Sequence, residues 1–176
     1  LKVTKDLEVL NMHRTVKNCV SILRASSKIE INYNAVNRTM LLETILISIF
    51  QDYELPTYYD EKPDVKDCSH VLGYLCELLI LRNNFEFTDK FFKDELSTFC
   101  EESFIDLDLS YLLNVLRDNG IISKKDHTYN FFKNSYWVFY FIAQRMNMND
   151  IFKDLIFKNK NYIDYPEIIE FYTGID

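Results

Sequence analysis

Only three glycines and three prolines punctuate 176 residues, and this scarcity limits the chain more than any other feature. Tight turns draw on residues that reach positive φ or fix a bend, so a fold of many short strands would lack material for its connections. Long helices joined by few turns need far less of it. The chain therefore reads as mostly α. Its 48% apolar content is enough, at this length, for one core or for two small ones sharing a boundary.

Apolar spacing divides the chain. Leu7, Leu10, Val16, Val20 and Leu23 recur at a loose helical period, broken around His13 and Arg14, which fits one or two short helices. Ser26 to Asn37 is polar and holds Asn32, Asn34 and Asn37, a loop leading into a helix over Arg38 to Phe50. That helix gathers Leu41, Leu42, Ile45, Leu46 and Ile49 on one broad face. Asp52 to Lys66, with Pro56, Pro63, Tyr58-Tyr59 and five acidic residues, is the clearest connector. It closes a helical subdomain over residues 1–55.

A second unit spans 67–134. Asp67 or Ser69 can cap a helix through Ile80, and Val71, Leu72, Leu75, Cys76, Leu78 and Leu79 make almost every side of it apolar, as expected of a central helix. Thr88 can cap the next, with Phe91, Phe92, Leu96 and Phe99 inward; Asp106 or Asp108 can start a third, with Leu109, Leu112, Leu113 and Leu116 inward. Gly120 then supplies the left-handed stop. Ile121-Ile122 and Tyr129 to Phe132 flank the polar run Ser123 to His127 and read as a β-hairpin. Three helices followed by a hairpin is the order of a winged helix. Residues 135–176 return to helical spacing: Ser135 to Met146, Asp150 to Phe157, and a short helix bracketed by Pro166 and Gly174.

Charge and chemistry narrow the function. A net charge of −7 disfavours phosphate backbones as partners. The apolar runs Met40 to Phe50 and Val71 to Leu81 are about half the length of a bilayer crossing, and no signal peptide precedes them, so a soluble, cytoplasmic segment without a membrane partner is expected. Cys19, Cys68, Cys76 and Cys100 are too widely spaced for a metal set and read as free, buried thiols in a reducing compartment. No metal site is expected. There is no glycine-rich phosphate cradle and no nucleophile motif beside His13, His70 or His127, so no catalytic residue is assigned and the segment is not expected to be an enzyme. Asp106 and Asp108 are explained by the positive end of a helix, and Glu101-Glu102 by solvation. The aromatic run Tyr136, Trp137, Phe139, Tyr140, Phe141 has helical spacing and reads as core. Any surplus face, Tyr136, Trp137 and Tyr140 foremost, is expected to pack onto a neighbouring domain.

Three runs, in order, resemble the region that follows the nucleotide-binding core of STAND-type (NACHT-like) NTPases. Asn37-Arg38-Thr39-Met40-Leu41-Leu42 looks like the Asn-Arg helix start found just after that core. Tyr129 to Ala143, an aromatic strand, a polar step and an aromatic helix ending in Ala, is similar to the signature that closes the family's winged helix. Tyr165 to Gly174 resembles the helix after it. Arg14-Thr15-Val16-Lys17-Asn18 stands where such proteins carry a proline-containing motif near the nucleotide, with Val16 in place of the proline. Lys133 stands where many relatives place a phosphate-sensing His.

The resemblance implies a helical, winged-helix-like regulatory module cut from a larger bacterial signalling or antiviral defence protein, the helix in progress at Leu1 being consistent with a fragment. ATP or ADP would belong to the parent protein and not to this segment; the partners would be the nucleotide-binding core and sensor domain of the same chain, with a homo-oligomer on activation. Lys133 and Arg14 would be the nucleotide-sensing cations, and Arg38 has the alternative of capping or pairing within the fold. The competing reading is a winged-helix transcription regulator whose Asp108 to Asn119 helix enters the major groove, though it offers only Asn114, Arg117 and Asn119 to base edges.

Overall fold

A computed structural model describes residues 37–53 and 63–175, with single positions between Thr4 and Leu23. Leu10, His13, the loop at 26–36 and the middle of the acidic connector at 54–62 lie outside the described residues.

Helix α1 spans Arg38–Asp52 and starts where the sequence places it, because the Asn37 side chain accepts the Met40 N–H at 2.9 Å. Its buried residues are Leu41, Leu42, Ile45, Leu46 and Phe50, with Thr39 and Ser48. Helix α2, Val65–Leu81, begins earlier than Asp67 or Ser69 would have it. The extended residue Asp64 takes the Lys66 N–H at 2.7 Å, which leaves Asp67 inside the first turn, where its charge meets the positive helix end.

Strand β1, Glu86–Thr88, was not anticipated; three residues carry no period of their own. Thr88 then caps α3, Asp89–Glu102, and Asp108 caps α4, Leu109–Asp118. Gly120 at φ 67° ends α4 as expected. The hairpin is shifted. Its strands are the polar β2, Ser123–Lys125, and β3, Thr128–Asn130, while Ile121 and Ile122 precede it as core residues. Asp126, at φ 54°, makes the two-residue turn tight enough to pair Lys125 with Thr128. The sheet is antiparallel in the order β1-β3-β2, with Phe87 and Lys124 on either side of Tyr129. Helix, strand, two helices and a hairpin that recruits the first strand is a winged-helix arrangement.

A 3-10 turn at Phe132–Asn134 leads to α5, Tyr136–Met148. Helices α6, Asp150–Lys158, α7, Asn161–Asp164, and α8, Glu167–Tyr172, follow. Helix α5 is the axle of the molecule, packed on α2 along one side and α8 along another, and eight of its thirteen residues are buried. The crossing with α2 is close because Gly73 has no side chain: a Cβ there would lie 3.2 Å from Cβ of Arg145 and 3.4 Å from the Phe141 carbonyl. One hydrophobic cluster runs from Leu7 and Ile22 through α1, the winged helix and α8, so these parts share a core. Among the described residues no helix is long and apolar enough to cross a membrane.

Candidate functional site

Two of the runs that carry the resemblance meet in space. Asn37 holds the α1 N-terminus with its Oδ1 and donates from Nδ2 to the Gly174 carbonyl at 2.9 Å. Thr39 donates its hydroxyl to the Phe171 carbonyl at 2.9 Å, and Arg38 pairs with Glu170 at 3.0 Å. The Arg38 guanidinium also lies 4.6 Å from the centre of the Phe171 ring, a stacked cation on a buried aromatic face. Its Nε is buried without a hydrogen-bond partner among the described residues. Gly174 is therefore not a left-handed cap. It sits where a Cβ would collide with the Thr39 hydroxyl and come within 3.1 Å of the Thr39 Cβ, so glycine is required by close approach.

A second polar cluster lies in the α2–α5 contact. Arg145 pairs with Glu77 at 2.5 Å, both side chains largely buried (10% and 16% exposed), and it lies near the rings of Tyr74 and Phe99. Phe99 stacks on Tyr74 with 4.1 Å between ring centres and on His70 with 5.2 Å. Burial, then the neighbouring Arg145, lowers the His70 pKa from its ordinary value of 6.5. An unfolded chain thus binds this proton more readily than the fold does. The stability His70 permits is complete above about pH 6.5 and declines as pH falls below it. The melting temperature should accordingly decline between pH 7 and 5 less steeply in His70→Gln than in the parent; parallel curves would remove His70 as the cause.

The third feature is the lip between the wing and α5. Asn134 donates to the Gly120 carbonyl at 2.6 Å, and Asn130 accepts the Phe132 N–H at 3.3 Å, so the segment is pinned at both sides. Between these pins Phe132 projects, 65% exposed, beside an exposed Lys133. Behind the lip opens a cavity of about 200 Å³ lined by Phe85, Phe131, Val138, Phe139 and Tyr165, with Phe132 and Ser135 at its mouth.

The two residues expected at a nucleotide differ in their surroundings. Lys133 shows no ion pair among the described residues, whereas Arg14 pairs with Glu8 on the surface. Tyr136, Trp137 and Tyr140, expected at a domain interface, are all buried inside this chain: Trp137 stacks near Phe141 at 5.7 Å, and Tyr140 meets Phe171 edge-on at 6.1 Å. Burial pushes the Tyr136 phenol up to about 12. The four cysteines are free, and burial raises the Cys68 thiol to about 12, an inert state. His127 lies on the exposed hairpin turn, apart from His70.

On α4, half the residues are buried. Arg117 pairs with Asp118 at 2.9 Å, Asn119 caps its own helix at the Val115 carbonyl, and Tyr53 donates to Asp118 across the same end. Two of the three polar groups such a helix would turn toward bases, Arg117 and Asn119, are thus engaged within the fold. The Arg38–Glu170 contact and the Arg145 cluster were missed by sequence reasoning because their partners lie 132 and 68 residues apart. Compared with known proteins, the chain matches no family model, no curated protein and no solved structure.

Proposed function

We propose that this chain is a non-catalytic regulatory module of a STAND-type NTPase, cytoplasmic and acting in bacterial signalling or antiviral defence. In this reading a nucleotide-binding core elsewhere in the same protein packs against the lip of the wing in its ADP state. A trigger read by a sensor domain shifts the balance toward a state in which the module has swung away. Lys133 is the cation offered to that core, a flexible point charge suited to a phosphate oxygen. Arg14, tied to Glu8, is the less available of the two.

The observation that supports the reading most directly is the clasp. Asn37-Arg38-Thr39 and Glu170 to Gly174, two runs with family resemblance more than 130 residues apart, hold one another through three polar contacts. A module that must move as one body needs its ends tied in this way. The DNA-binding alternative has less behind it, since Arg117 and Asn119 are already engaged.

The test is the complete reading frame and the protein it encodes. It should carry a phosphate-binding loop upstream, and Lys133→Glu should weaken ADP-dependent protection of the lip from amide exchange at least about tenfold, an effect worth about 1.4 kcal/mol. A reading frame without such a loop sinks the proposal.

A further inference from the structure

We propose that the chain binds a second copy of itself by a knob-into-cavity contact, the Phe104 ring of one protomer entering the aromatic cavity behind the lip of its partner. This inference does not rest on the nucleotide reading, although both use the lip and Lys133, and it starts from a residue whose conformation its own fold does not explain.

Phe104 follows α3 at φ 57°, with the Ile105 N–H returning to the Cys100 carbonyl at 2.9 Å. This is the left-handed position of a helix C-cap that glycine or asparagine ordinarily fills, because a side chain there is strained. A bulky residue in that state is an outlier, and strain of this kind concentrates at sites that bind. The ring gains almost nothing from the described residues in return, being 97% exposed. The fold thus carries a strained backbone position whose phenyl group stands bare in solvent.

The cavity is a matching receptor. At about 200 Å³ it exceeds the roughly 150 Å³ apolar cavity known to hold benzene. Phe85 and Phe139 both meet Tyr165, at 5.7 Å and 5.3 Å between ring centres, so an entering ring finds edges and faces at the separations aromatic pairs favour. Charge agrees with shape at the lip: exposed Glu101, Glu102 and Asp106 flank the knob, and the lip carries Lys133, which has no ion pair among the described residues, whereas Glu86 and Asp164 adjoin the cavity residues Phe85 and Tyr165. Phe104 does not line the cavity of its own chain, and among the described residues neither the knob nor the cavity has an occupant.

The experiment is sedimentation velocity on the 176-residue chain without nucleotide. The weight-average mass should rise above the 21.1 kDa of one chain over concentrations of about 1–500 µM, the range expected of a small contact. Phe104→Gly should raise the dissociation constant at least tenfold and raise the melting temperature, since glycine relieves the strain; loss of association then cannot be put down to misfolding. Ser135→Phe fills the mouth at a position whose hydroxyl makes no capping bond, and it should abolish self-association equally. Mixed together, the two variants should form a heterodimer from one intact knob and one intact cavity. Three results would overturn the proposal: a parent chain that stays monomeric throughout, an unchanged dissociation constant in Phe104→Gly, or self-association surviving in Ser135→Phe, which would mean that knob meets knob.

Discussion

Replacing Arg145 with alanine is expected to lower stability by about 3–5 kcal/mol, the usual result of removing one partner from a buried ion pair. Glu77 is 16% exposed and has its 2.5 Å partner in Arg145, so the substitution strands a carboxylate between α2 and α5. It also removes the guanidinium beside Tyr74 and Phe99, at 5.5 and 5.4 Å, together with the packing of its stem. At this chain length the loss corresponds to a melting temperature lower by about 6–20 °C. The size of the effect does not mean that the pair adds that much. Glu77→Gln with Arg145→Met replaces both charges by groups of similar volume and should recover most of the loss, because no buried charge is left uncompensated. If Arg145→Ala alone cost less than about 1 kcal/mol, water would be reaching Glu77 and the α2–α5 contact would be looser than its geometry implies.

Which parts of this architecture were legible follows from the range of the forces that made them. Caps at Asn37, Thr88 and Asp108 are decided within three residues by a side-chain oxygen and a backbone N–H, and the sequence shows both. Asp64 was passed over because it adjoins a proline and ends an acidic connector that reads as coil. Yet a carboxylate on an extended residue caps as well there as at Asp67. Strand β1 exists because β3 pairs with it, Phe87 opposite Tyr129, and nothing local announces it. The hairpin was misplaced for a related reason. Apolar runs suggest strands, but Ile121 and Ile122 serve as core plugs, and the ladder is built by polar residues flanking a two-residue turn. Gly174 looked like a cap and proved to be a contact point, since its requirement is set by Thr39 on another helix. The aromatic run on α5 was correctly expected to be core in character. That its rings are taken up within the chain depends on α2 and α8, whose positions no spacing rule supplies.

Phe171→Ala should cost about 3–5 kcal/mol, as for other fully buried phenylalanines. How that cost is distributed bears on the proposed function. Phe171 is wholly buried, its ring under the Arg38 guanidinium on one side and against the edge of Tyr140 on another. Its carbonyl accepts the Thr39 hydroxyl, so the same residue supplies apolar and polar parts of the clasp. Truncation leaves Arg38 without its aromatic face while its Nε already lacks a partner among the described residues, a poor environment for a buried cation. Urea denaturation gives the total, and amide exchange along the chain gives its distribution. If α8 and the start of α1 lose protection together while α2 through α5 keep theirs, the clasp opens as a local unit below the global unfolding energy. The ends would then be tied only weakly, and the clasp would no longer support a module that moves as one body. If every helix loses protection in step with the fall in the urea midpoint, the clasp is part of one cooperative core. Movement in the parent protein would then have to occur at the outer face of this module, at the lip around Lys133, with no hinge inside it.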